Sequence, residues 1–387
     1  MTLRSSAIIA MLLLMPIAGA CPREASFEQQ LSPADTDAFI APLFEGSPAP
    51  AARYAVDVYE LFVETRHPSG TTTPVRVQLF VPAAEPGRLR GSYLFAAGST
   101  GLINPCRVSR EHLSGIRWGL YRAHVLSLAG QGYIGILPDY MGYEDWDLIQ
   151  PYFHAESEAR LMVDVTEAVH AVLADRIPGG LRSMTRVAAG YSQGGHAVFA
   201  AADRNDEFPD GLEIDGLVGY GPTTAVDALF LEYPSVAPMV VQAYRTIYGD
   251  EAFDPLDILA EPWASSLAYD TTRQCVGGLQ SYYPDRATKL FRIDFMKSLW
   301  ARTLAVTHPG VHRIMQANRA GMAGHGIPAL ILQGTDDVVV DRRTQDEFVT
   351  ALRERGSDVR YLVYEGARHD TRQISWPAVI DWIDSLP

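Results

Sequence analysis

The sequence predicts an α/β fold: a mostly parallel central sheet flanked by helices, interrupted by one large, mainly helical insertion. Three observations carry this. Short runs rich in β-branched and aromatic residues alternate with helical stretches over most of the chain, which is how strand–helix units build a parallel sheet. Gly190-Tyr191-Ser192-Gln193-Gly194 joins the apolar run Arg186-Val187-Ala188-Ala189 directly to a helical run starting at Gly195. Between the run ending at Tyr220 and the one starting at Pro328, about 100 residues break the alternation, far more than an ordinary connection requires.

The elements follow in order. Residues 1–20 read as an export signal: Arg4 is the positive segment, Ala7 to Met15 the apolar segment, and Ala18-Gly19-Ala20 the small-residue cleavage site. The apolar run is too short to span a bilayer as an ordinary helix. Residues 21–52, rich in Pro, Ala and Ser, read as a tether and irregular lead-in. Tyr54 to Val63 and Pro74 to Val81 predict the first two strands, with the turn residues His67-Pro68-Ser69-Gly70 between them. Ser92 to Ala96 is the next strand. A helix is expected over roughly 111–129, ending at Gly130 and Gly132, and then the strand Tyr133 to Leu137.

Leu161, Val165, Ala168, Val169 and Val172 share one helical face, with Glu158, Asp164 and Glu167 away from it. The strand Gly216 to Tyr220 precedes the insertion, and Pro328 to Gln333 and Val359 to Tyr364 follow it. Thr344-Gln345-Asp346-Glu347 resembles a capping box opening a helix that runs to Gly356. Ser375-Trp376-Pro377 opens the last helix. The core is therefore placed at 53–221 and 326–387, and a cap or lid at 222–325. Its aromatics, among them Tyr233, Tyr244, Trp263, Phe291 and Phe295, supply either an apolar acyl pocket or the segment's own core.

Gly-x-Ser-x-Gly between a strand and a helix is the nucleophile-elbow pattern. The turn strains Ser192, and Gly190 and Gly194 let the helix return against the strand. A serine nucleophile needs a base, and the base needs an orienting carboxylate. Both follow in the required order, each just after a strand: Asp337 within Gly334-Thr335-Asp336-Asp337-Val338-Val339-Val340, and His369 within Glu365-Gly366-Ala367-Arg368-His369. Sites on parallel sheets collect at the carboxyl ends of strands. Asp337 is the expected acid because it stands three residues after Gly334 and three before Val340; Asp336 is its rival. The oxyanion donors are expected to be the backbone N–H of Gln193 and, from the loop Ala97-Gly98-Ser99-Thr100-Gly101, that of Ser99, with Thr100 the alternative.

The net charge is −14, the only lysines are Lys289 and Lys297, and no basic run or aromatic–basic interleaving is present, so no nucleic-acid partner is expected. No metal-ligand pattern is present and no cofactor is called for. The cysteines are Cys21, Cys106 and Cys275. Ile17-Ala18-Gly19-Ala20-Cys21 resembles a bacterial lipobox. Lipidation at Cys21 would anchor the exported chain to a membrane and leave Cys106 to pair with Cys275; plain secretion is the alternative.

Taken together, Gly190-Tyr191-Ser192-Gln193-Gly194-Gly195-His196-Ala197, Pro138-Asp139-Tyr140-Met141-Gly142-Tyr143, and Gly98-Ser99-Thr100-Gly101 with Cys106 soon after resemble the bacterial secretory lipases, the lipase-A-like branch of the α/β-hydrolase superfamily. The resemblance covers most of the chain and implies the α/β-hydrolase fold and a cofactor-free esterase or lipase acting on small-molecule or lipid esters. Family members often carry His-Gly before the Thr-Gly element, where this chain has Ala97. His196, one turn beyond Ser192, reads as structural. A serine peptidase, an acyltransferase and a non-catalytic binding protein on the same fold are the competing readings.

Overall fold

The computed structural model describes residues 25–174, 176–177, 180–207 and 213–387. The proposed signal segment and Cys21 lie outside these residues.

The strands are β1 (Ser26–Leu31), β2 (Val56–Arg66), β3 (Thr72–Pro82), β4 (Gly91–Ala96), β5 (Tyr133–Pro138), β6 (Arg186–Tyr191), β7 (Gly216–Tyr220), β8 (Ala329–Gly334) and β9 (Val359–Tyr364). They form one sheet in the order β1-β2-β3-β5-β4-β6-β7-β8-β9. The first three pair antiparallel, β3 also pairs antiparallel with β5, and every pairing from β5 onward is parallel. β4, β5, β7 and β8 are buried along their whole length, as expected where helices cover both faces of a parallel sheet. This is the α/β-hydrolase fold. β6 sits between β4 and β7, with Gly190 opposite Ala96 on one side and Gly219 on the other. The chain therefore leaves the sheet at Ser192 near its middle.

Four local expectations are corrected. Residues 21–52 are not simply a tether: β1 adds to the sheet edge, and the helix Pro33–Ile40 follows, capped by Ser32. β1 is almost wholly exposed, so it has no buried face to produce a readable alternation. The helix expected over 111–129 is broken into Glu111–Ser114 and Tyr121–Ala129. Gly115 turns left-handed, and the buried Glu111 carboxylate accepts the amides of Gly119, Leu120 and Tyr121, closing the N-terminus of the second helix. The helix Arg342–Glu354 is capped by Asp341, which accepts from Arg343 N, rather than by Thr344. The last helix runs Arg372–Ile383 with Pro377 inside it, because Asp370 accepts the Arg372 amide and draws the start three residues earlier than the expected Ser375.

Between β7 and β8 the chain forms a series of helices from Val226–Glu232 to Pro309–Ala317. They enclose a second hydrophobic core containing Phe230, Met239, Tyr244, Leu267, Phe291 and Phe295, joined by Leu102, Tyr152 and Phe153 from the sheet domain's loops. Most of the insertion's aromatics pack in this core or stand exposed, as Tyr269 and Trp300 do. Cys106 and Cys275 are disulfide-bonded, tying the insertion to the segment after β4.

Candidate active site

Ser192 has φ 53° and ψ −114°, a conformation that non-glycine residues rarely adopt. It persists because the surroundings over-determine it. Ser192 N donates to Tyr220 O at 3.0 Å, and Ser192 O accepts from Thr223 N at 3.2 Å. The flanking glycines are sterically required: a Cβ at Gly190 would lie 2.0 Å from Gly194 O, and one at Gly194 would lie 1.9 Å from Ala96 O. The helix Gln193–Asp203 thus packs directly on β6 and the end of β4.

The loops after β8 and β9 are zipped together. Asp336 N donates to Ala367 O at 2.9 Å, Thr335 N to Tyr364 O at 3.0 Å, and Gly366 N to Thr335 Oγ1 at 2.8 Å. This brings Asp337 Oδ2 to 2.8 Å from His369 Nδ1. Asp337 Oδ1 accepts the amides of Val339 and Val340, and Oδ2 also accepts from Gln333 Nε2. Asp336 is exposed, and its carboxylate accepts from the adjacent Thr335 hydroxyl. The carboxylate can only accept from Nδ1, so Nδ1 carries a proton. Nε2 is buried and has no hydrogen-bond partner among the described residues. A Cβ at Gly221, in the loop after β7, would lie 2.9 Å from the His369 ring.

Ser192 and His369 line a common cavity of about 240 Å³. Its wall comes from Ser99, Trp118, Tyr121, Tyr152, Phe153, Tyr191 and Thr223 of the sheet domain, Val339 of the acid loop, and Leu229, Tyr233, Val236, Val276 and Gln280 of the insertion. Of the aromatics the sequence placed in the insertion, only Tyr233 reaches this cavity. The remaining aromatic wall, and the role of Thr223, were not legible beforehand. Tyr121, Tyr152 and Tyr191 are held well above the ordinary phenol range by burial and so stay neutral. Among the described residues, no carboxylate, lysine or arginine lines the cavity.

The loop after β4 is braced from three sides. Tyr140 donates to Ala97 O at 2.6 Å, Tyr143 to Gly101 O at 2.6 Å, and Val276 N to Thr100 O at 2.8 Å. Gly101, with φ 142°, lies against the disulfide, where a Cβ would come within 2.7 Å of Cys106 Sγ. Ser99 lines the cavity with its hydroxyl 2.6 Å from Tyr152 OH, and its amide has no acceptor among the described residues. Thr100 is fully buried and its hydroxyl meets Tyr143 OH. Gln193 N–H is in the first turn of its helix, where an amide has no intrahelical acceptor. Below His369, the buried Arg372 pairs with Asp370 and lies 4.7 Å from the centre of the Tyr191 ring. Asp370 is 40% exposed; packing of the rest of the carboxyl raises it, but the Arg372 guanidinium outweighs that and holds it below its ordinary range.

Fold and geometry together define an α/β hydrolase. The chain belongs to a hydrolase family described as serine aminopeptidase, S33, whose model matches residues 115–373. It is similar in structure to the rice cell wall degrading esterase LipA from Xanthomonas oryzae, with a TM-score of 0.74, 18% identity, and coverage of 94% of this chain and 97% of that one. It is also similar to Candida antarctica lipase A in its closed state, with a TM-score of 0.66, 16% identity, and coverage of 94% and 83%. No curated protein sequence matches the chain.

Proposed function

We propose that this chain is an exported serine carboxylic-ester hydrolase. The observation that carries the reading is the arrangement around one cavity: Ser192 on a strained elbow, His369 Nε2 without a hydrogen-bond partner among the described residues, and Nδ1 held by Asp337. Ser192 Oγ attacks the ester carbonyl while His369 Nε2 takes its proton. Asp337 holds the imidazole tautomer and stabilises the imidazolium. The N–H groups of Gln193 and Ser99 receive the developing oxyanion. Collapse of the tetrahedral intermediate expels the alcohol, protonated by His369, and leaves an acyl-Ser192. Water, activated by the same nitrogen, then releases the acid.

The cavity wall favours esters over aminopeptidase substrates. A substrate with a free α-amino group buries an ammonium, which is costly without a paired carboxylate. The uncharged lining supplies none. Comparing kcat/KM for p-nitrophenyl esters and for aminoacyl-nitroanilides tests this: the esters should exceed every nitroanilide, and the reverse order makes the chain a peptidase. Export and anchoring rest on the first 21 residues: palmitate labelling in a bacterial host should depend on Cys21, and a soluble product with an unmodified N-terminal Cys21 would contradict it.

A further inference from the structure

The helix Ala155–Ala174 passes behind the elbow and carries Glu158, 2% exposed. The sequence places this carboxylate away from the helix's apolar face; the structure buries it. Its Oε1 accepts Gln193 Nε2 at 2.8 Å and Phe153 N at 3.2 Å, and Oε2 lies 2.5 Å from His196 Nδ1. His196 Nε2 lies 2.7 Å from Asn318 O, which can only accept, so this nitrogen carries a proton. A further proton must then lie between Nδ1 and Oε2. Glu158 and His196 thus share one short hydrogen bond sealed inside the protein.

Gln193 is where this matters. Its side chain is fully buried, and among the described residues its Oε1 has no partner and the bond to Glu158 is its only polar anchor. The same residue supplies the proposed oxyanion N–H, and the direction of that N–H is set by the strained Ser192–Gln193 peptide. We propose that Glu158 is a positioning residue for the oxyanion donor, acting through the Gln193 side chain, with His196 and Asn318 linking that anchor to the end of the inserted helices. This rests on the ester-hydrolase reading above. Loss of the anchor lets the peptide relax, and a misplacement of about 1 Å in such a site can cost on the order of 10²-fold.

The test is steady-state kinetics on a p-nitrophenyl ester with E158A, E158Q, Q193M and E158A/Q193M, each first titrated with a fluorophosphonate to count active Ser192. E158A and Q193M should each lose roughly ten- to hundredfold in kcat with KM within about twofold, and binding of a trifluoromethyl ketone should weaken in proportion to kcat/KM. E158Q keeps an acceptor for Gln193 and should stay within about threefold of wild type. The double variant should lose no more than the worse single one, because both changes remove the same link. If E158A does not fold, Q193M and E158Q carry the test. A lowered melting temperature with unchanged kcat per titrated site would overturn the proposal, as would additive losses. Failure of wild type to be titrated at Ser192 would instead overturn the ester-hydrolase reading.

Discussion

His369 Nδ1 meets Asp337 Oδ2 at 2.8 Å, whereas Asp336, one residue earlier, points to solvent. The Asp337 side chain is fixed by two backbone amides and by Gln333, so its orientation is set before the histidine arrives. Asp337→Asn should therefore lower kcat by about 10⁴ by stabilising the wrong imidazole tautomer. Asp336→Asn should change it little. Steady-state kinetics on the two variants decides; equal losses would remove the special role of Asp337.

Much of this site was legible in the sequence because its parts have steric or topological signatures. Gly190 and Gly194 mark a turn that no Cβ could enter, and Asp337 and His369 follow strands whose β-rich composition is plain. The cavity wall was not legible, since Tyr152 and Phe153 lie in an irregular stretch before a helix and Thr223 in a loop after a strand. Glu158 was misplaced because a single buried carboxylate in a helix obeys no hydrophobic period; only its partners, distant in sequence, explain its burial. β1 was missed for the opposite reason, having almost no buried residue at all.

The disulfide closes a separation of 169 residues between the loop after β4 and the insertion. Removing it, as in Cys106→Ser with Cys275→Ser, should cost roughly 2–5 kcal/mol of stability. Because Val276 also bonds Thr100, kcat should fall as well. Urea unfolding and ester kinetics with and without reductant check this; no change in either would contradict it.

Asp139 is buried, and burial lifts its carboxyl to about 6 even though Ser109 donates to both oxygens. The folded chain therefore binds this proton more tightly than the unfolded chain. The stability linked to it is complete below about pH 4 and is lost as pH rises through about 6. Asp139→Asn should remove that slope. Between pH 4 and 7, wild type should lose on the order of 2–3 kcal/mol relative to the variant. Urea unfolding across this range measures it, and a pH-independent difference would refute the assignment.

The cavity of about 240 Å³ is smaller than the roughly 300–1,000 Å³ typical of sites for drug-sized ligands. Each methylene buried should raise kcat/KM close to fourfold, at about 0.8 kcal/mol, until the space is full. Selectivity should therefore climb from acetate and stop short of palmitate. A panel of p-nitrophenyl esters from acetate to palmitate locates the maximum; a steady rise to palmitate would mean that the acyl chain lies elsewhere.

The central claim is that Ser192 forms the covalent acyl-enzyme. Mass spectrometry of the fluorophosphonate-treated protein tests it most directly. The adduct should fall on the peptide containing Ser192 and only there, at one per chain, and Ser192→Ala should neither be labelled nor hydrolyse any ester in the panel. Labelling at another residue, or ester hydrolysis retained by Ser192→Ala, would contradict the account.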